Sequence, residues 1–105
     1  MLIQNVQISG PLALAPMAGV TDLAFRQVCR AHGAALTYSE MVSAKALMYQ
    51  DGKTRGLLRL GEGEHPAAVQ IFGSEPECMA QAAQKALTLS ECDLIDINMG
   101  CPVGK

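Results

Sequence analysis

Asp93-Leu94-Ile95-Asp96-Ile97-Asn98-Met99-Gly100-Cys101-Pro102 runs an apolar stretch straight into a polar turn that ends in a cysteine. A short apolar run bounded by turn residues reads as a buried strand, here Leu94 to Asn98. In parallel-sheet and barrel enzymes the reacting groups stand at the carboxyl ends of strands, where loops open onto a cleft. Asn98 and Cys101 are therefore the first candidates for chemistry. The sequence ends at Lys105, and most of the machinery around Cys101 is expected from residues beyond it.

Upstream, strand-like and helix-like patterns alternate. Leu12-Ala13-Leu14-Ala15 is an apolar run broken by Pro16, and Thr21-Asp22 supplies a capping pair for a helix from about Asp22 to His32, with Gly33 placed as its stop. A second strand is read in Ala35-Leu36-Thr37-Tyr38-Ser39, ending at Glu40-Met41, and a helix from Ser43 to Gln50. Between Asp51 and Pro66 the pattern loosens, and Leu57-Leu58-Arg59-Leu60 fits either a helix end or a short extended piece. Ala67 to Phe72 restores a buried strand; Ser74 is expected to cap a helix from Pro76 to about Leu89.

Strands alternating with helices at this spacing imply parallel pairing through right-handed crossovers. The expected fold class is α/β, a partial (β/α)8 TIM barrel holding about the first four βα units, with residues 1–105 as the amino-terminal half of such a domain. A barrel of this type usually takes about 250 residues. A small complete four-stranded α/β sheet is the competing fold.

With 105 residues, half of them hydrophobic, and no Trp, the chain supports one core built mainly of Ala, Leu, Val, Ile and Met. A formal net charge of -2 gives this segment alone no basic face for a phosphate backbone. Cys29, Cys78, Cys92 and Cys101 form no C-x-x-C pair and read as reduced thiols. With no basic, apolar leader and no run near the roughly 20 apolar residues of a membrane span, a soluble cytoplasmic protein is expected.

Each strand end carries a polar or turn-forming group: Pro16-Met17-Ala18-Gly19, then Glu40-Met41, then Gln70 within the third strand, then Asn98 to Cys101. Gln70 is the unexpected one, because an amide in a strand buried on both faces needs hydrogen-bond partners. It reads equally as a structural amide or a site residue. Cys101, held between Gly100 and Pro102, presents a thiol able to act as proton donor or nucleophile, whereas Cys29, Cys78 and Cys92 read as small apolar residues. Small residues around Ala18 let a flat ligand lie against backbone, although the same stretch serves equally as a plain turn. His32 and His65 have no metal-ligand spacing, so no metal site is visible, and the acidic Gly61-Glu62-Gly63-Glu64 is not a phosphate loop.

Ala15-Pro16-Met17-Ala18-Gly19-Val20-Thr21-Asp22, Ser39-Glu40-Met41, Val69-Gln70-Ile71-Phe72-Gly73 and Asp96-Ile97-Asn98-Met99-Gly100-Cys101-Pro102, in that order and at suitable intervals, resemble the tRNA-dihydrouridine synthases along the whole chain. The resemblance implies an FMN-dependent barrel followed by a helical domain that helps hold tRNA. FMN is reduced by NADPH, hydride passes to C6 of a uracil, and a cysteine supplies a proton at C5. Residue by residue, the resemblance matches Cys101 to the proton donor and Pro16, Met17, Ala18 and Gln70 to positions lining the flavin. Asn98 matches the asparagine near flavin and uracil, and Glu40 receives no role.

Two departures stand out. Family members commonly continue past Cys-Pro with a Lys-Val-containing segment, whereas here Gly104 precedes a terminal Lys105, and the barrel's second half, with its basic residue, histidine and phosphate-binding loops, is not in this sequence. The expectation is a segment that is inactive alone, contacts tRNA mostly through other regions, touches no membrane and, through open strand edges and an uncovered apolar interior, shows poor solubility, self-association or a rearranged packing. Rival readings are a non-catalytic half-barrel scaffold and a different flavin barrel acting on a free pyrimidine.

Overall fold

The computed structural model describes residues 1–49 and 52–101. In chain order the elements are β1 (Leu2–Ile3), β2 (Val6–Gln7), β3 (Ala13–Leu14), α1 (Leu23–Ala31), β4 (Leu36–Tyr38), β5 (Val42–Ser43), α2 (Ala44–Met48), α3 (Gly52–Leu57), β6 (Ala67–Phe72), α4 (Pro76–Leu89) and β7 (Leu94–Ile97). β1 and β2 form a small antiparallel hairpin apart from the main sheet, turning through Gln4 at φ 52°.

The main sheet is parallel throughout. β3 pairs with β4, β4 and β5 both pair with β6, and β7 pairs with β6. Because β7 holds one edge of β6 from Ala68 to Ile71, β4 and β5 must share the other edge, where they form one interrupted strand. Tyr38 partners Ala68 and Val42 partners Ile71, so four steps along one strand match three along its neighbour. That mismatch is a β-bulge spanning Ser39 to Met41. The strands therefore lie side by side in sequence order, as a barrel requires. Among the described residues they make three helix-bearing units and a fourth strand.

The core lies between the sheet and the helices. Val42, Val69 and Ile71 from the strands meet Ala44 and Leu47 of α2, Leu58, and Ala82 and Ala86 of α4. Small alanines on α4 let it come close to α2. Since Val69 and Ile71 face the helices, the alternation of β6 turns Ala68 and Gln70 to the opposite face. Tyr38, Leu94 and Asp96 join them there by register. The sheet face turned away from the helices thus mixes polar and apolar side chains.

Local signals explain most boundaries. Asp22 caps α1 by accepting from Phe25 N at 2.8 Å, and Gly33, at φ 109°, ends it in a conformation that side chains resist. Ser43 caps α2 by accepting from Ala46 N at 3.2 Å; the expected end of that helix at Gln50 lies outside the described residues. The undecided segment resolves with Leu57 closing α3 and Leu58 in the core. One expectation fails: α4 is capped at Glu75, without a side-chain bond, and not at Ser74. Pro76, with fixed φ and no N–H, already suits the first helical position, and Ser74 instead lines a cleft.

Candidate active site

Pro16, Met17, Ala18, Gln70, Asn98 and Cys101 come together, with Met41 and Gly100, around one cleft of about 470 Å³ at the carboxyl ends of the strands. A second hollow of about 390 Å³ shares Met41, Asn98, Gly100 and Cys101 and continues past Phe72, Gly73 and Ser74. Cys101 is exposed, whereas Cys29, Cys78 and Cys92 are partly buried. Burial pushes the Cys92 thiol up, in keeping with an unreactive apolar role. Pro102 lies outside the described residues.

The first wall is a tied loop. Thr21 is fully buried; its Oγ1 accepts from Met17 N at 3.0 Å and donates to Met17 O at 3.2 Å. Gly19, at φ 76°, donates its N–H to Glu40 Oε1 at 2.6 Å. Glu40 thereby acquires a structural role, because from the bulge of the neighbouring strand it holds the loop that carries Met17 and Ala18.

Behind this loop stands a buried ion pair. Arg26 on α1 donates from Nε to Glu64 Oε2 at 2.7 Å, and both side chains are almost wholly enclosed, at 3% and 0% exposure. Arg26 also donates to Thr21 O at 3.0 Å and Arg59 O at 2.9 Å. Glu64 further accepts from Thr37 Oγ1 at 2.7 Å and Gly61 N at 2.9 Å. Burial by itself would raise the Glu64 carboxyl, but the bonds from Arg26, Gly61 and Thr37 and the guanidinium charge outweigh it and hold the group below its ordinary value.

The second wall is a relay of amides. Gln70 Nε2 donates to Asp96 Oδ2 at 2.6 Å, Asn98 Nδ2 donates to Gln70 Oε1 at 3.2 Å, and Gly100 N donates to Asn98 Oδ1 at 2.9 Å. The buried amide that looked unexplained in the sequence is satisfied at both ends. Its backbone N–H, displaced from the ladder by the bulge, donates to Ser39 Oγ at 3.0 Å, and Ser39 Oγ donates on to Glu40 O at 2.8 Å. Ser39→Ala would leave a buried donor unpaired. We expect it to lower stability by about 1–3 kcal/mol in urea unfolding, and an unchanged midpoint would show that another acceptor takes over.

Sequence reading missed Ser39, Arg26, Glu64 and Asp96. Asp96 was discoverable: it is a polar residue in an apolar strand, two positions before Asn98, and a buried Gln70 demands a partner. Glu64 carried no local signal, because its partner lies 38 positions away. Among the described residues no His, Cys, Asp or Glu side chains cluster as a metal-ligand set, and no helix is long and apolar enough to cross a membrane.

Residues 13–105 match the family model described as Dihydrouridine synthase. Over its full length the chain is 46% identical to tRNA-dihydrouridine synthase B of Shewanella oneidensis, covering 32% of that protein. It is 50% identical over 95 residues, 90% of this chain, to tRNA-dihydrouridine synthase B of Pseudomonas aeruginosa, covering 28% of it. A third relative, a probable tRNA-dihydrouridine synthase of Treponema pallidum, is 39% identical over 98% of this chain and 30% of its own length. The chain spans about a third of the length of the curated relatives it matches.

Proposed function

This chain belongs to the dihydrouridine synthase family, and from that premise we propose that it forms the amino-terminal half of a barrel that reduces uridine in tRNA to 5,6-dihydrouridine, using FMN recharged by NADPH. What supports the reading is the convergence of Pro16, Met17, Ala18, Gln70, Asn98 and Cys101 on one cleft. Apolar and small side chains on one wall and neutral amides on the other fit a planar ring with a polar edge. When bound, the flavin supplies hydride to C6 of the pyrimidine.

The chain's own residues do the rest. Pro16, Met17 and Ala18 offer the flat surface, Gln70 hydrogen-bonds the ring edge, and Asn98 orients the uracil, which must leave the tRNA stack to enter. Cys101 keeps a proton on Sγ and delivers it to C5, so one hydride and one proton account for the two hydrogens added. Taken alone, the segment lacks the remaining walls; it is inactive and self-associates through the edges of β3 and β7. The proposed setting is the cytoplasm, with most tRNA contacts made by other parts of the parent protein.

The test uses the full-length parent, purified with FMN and given NADPH and unmodified tRNA. Dihydrouridine should appear in the tRNA by mass spectrometry. A flavin-loaded parent that leaves tRNA unchanged, or that reduces free uracil instead, would end the reading.

A further inference from the structure

An amide side chain has two unlike ends, an accepting oxygen and a donating NH2, and a ligand meets whichever is turned toward it. In this cleft the choice is made at Asp96. It stands directly across from Gln70 in the register of β6 and β7, on the sheet face away from the helices, with Oδ2 2.6 Å from Gln70 Nε2. An ionised carboxylate only accepts, so Gln70 must give Asp96 its nitrogen. Its oxygen is then left for Asn98, which must answer with its own nitrogen, at 3.2 Å. The Asn98 oxygen is left in turn for Gly100 N, at 2.9 Å.

We propose that Asp96 is a positioning residue that sets the polarity of this relay, so that Gln70 and Asn98 commit their oxygens to protein partners and offer their remaining N–H hydrogens to the cleft. The second hydrogen of Gln70 has no other partner in the relay, and the second of Asn98 meets only the soft sulfur of Met41 at 3.8 Å. The wall thus favours a planar heterocycle that turns its acceptor edge to it, meaning carbonyl oxygens and unprotonated ring nitrogens, over an edge of N–H donors, for which each amide oxygen keeps only one lone pair. Applied to the proposed function, on which this inference rests, it places the acceptor edges of flavin and uracil against Gln70 and Asn98. The neighbouring Tyr38 adds weight to this placement of charge: burial, reinforced by the charge of Asp96, pushes its hydroxyl above the ordinary value.

Asp96→Asn keeps the shape and removes the direction. An asparagine at 96 donates as readily as it accepts, so Gln70 and Asn98 gain a second arrangement with reversed ends. In the full-length parent, the FMN dissociation constant should rise roughly tenfold, the scale of losing one bond to a charged group. The visible absorption bands of the bound flavin should shift, while the melting temperature of the FMN-free protein stays at the unsubstituted value. A purely structural Asp96 predicts the reverse pattern, a lower melting temperature with an unaltered flavin spectrum, and that result would overturn the proposal. So would FMN bound with the original affinity and spectrum. Should the asparagine variant fail to fold, Asp96→Ser removes the same charge with less bulk, and the same readings decide. An unsubstituted parent that takes up no FMN would instead strike at the function proposed above.

Discussion

Cys101→Ala in the full-length parent should cut dihydrouridine formation by about 10²–10⁴-fold, the range in which a positioned proton donor contributes, while the protein remains yellow. The two halves of this result come from different walls. Cys101 is exposed at the end of the turn that follows β7, and the described residues tie nothing to its sulfur. Removing it therefore leaves the loop braced by Thr21 and Glu40 and the relay from Asp96 to Gly100 intact. Single-turnover measurement on tRNA separates proton delivery from substrate binding. Colourless protein would mean that the thiol belongs to the flavin wall, and unimpaired turnover would remove it from the chemistry.

Glu64→Gln should lower stability by about 3–5 kcal/mol, the usual result of taking one partner from a buried ion pair. The uncompensated charge left behind is Arg26, at 2% exposure, which would keep its bonds to Thr21 and Arg59 without an anion beside it. That loss is a large part of the roughly 5–15 kcal/mol that holds most domains together. A joint Arg26→Met and Glu64→Leu replacement should lose less than Glu64→Gln, since no charge is then stranded. The pair also predicts acid sensitivity. The folded-state value of Glu64 lies below its ordinary 4.5, so its contribution is fully present above that value and disappears as pH falls through the lower, folded one. Urea midpoints measured from neutral to acidic pH should drop more steeply for the unsubstituted protein than for Glu64→Gln, and parallel curves would contradict the assignment.

Signals carried by neighbours in the chain were readable in advance; those carried by distant partners were not. β6 and α4 occur at the bounds the sequence suggests, Ala67–Phe72 and Pro76–Leu89, because an uninterrupted apolar run and a Pro-led, Ala-rich stretch are local statements. The strand-end residues were recognisable for the same reason. The β1–β2 hairpin was invisible, since two-residue strands have no periodicity and its turn contains no glycine. β5 was hidden too: Val42-Ser43 reads as the approach to a helix, and only β6 alongside makes it a strand. The ion pair of Arg26 with Glu64 and the bond of Ser39 to Gln70 exist only once the chain has closed. Arg26, Glu64 and Ser39 brace the cleft without lining it, so no pattern of ligand-like residues marks them.

The bulge at Ser39 to Met41 does more than satisfy Gln70. Before it, Tyr38 stands beside Ala68 on the sheet face away from the helices; after it, Val42 stands beside Ile71 in the helix-covered core. Both numbers are even, so an unbroken strand would have sent the two side chains to the same side. The extra residue acts as a frameshift in the wall. It lets one strand present a phenol to the face away from the helices and a valine to the packing side within five consecutive residues, which ties the spacing from Tyr38 to Val42 to the integrity of both faces whatever side chains lie between.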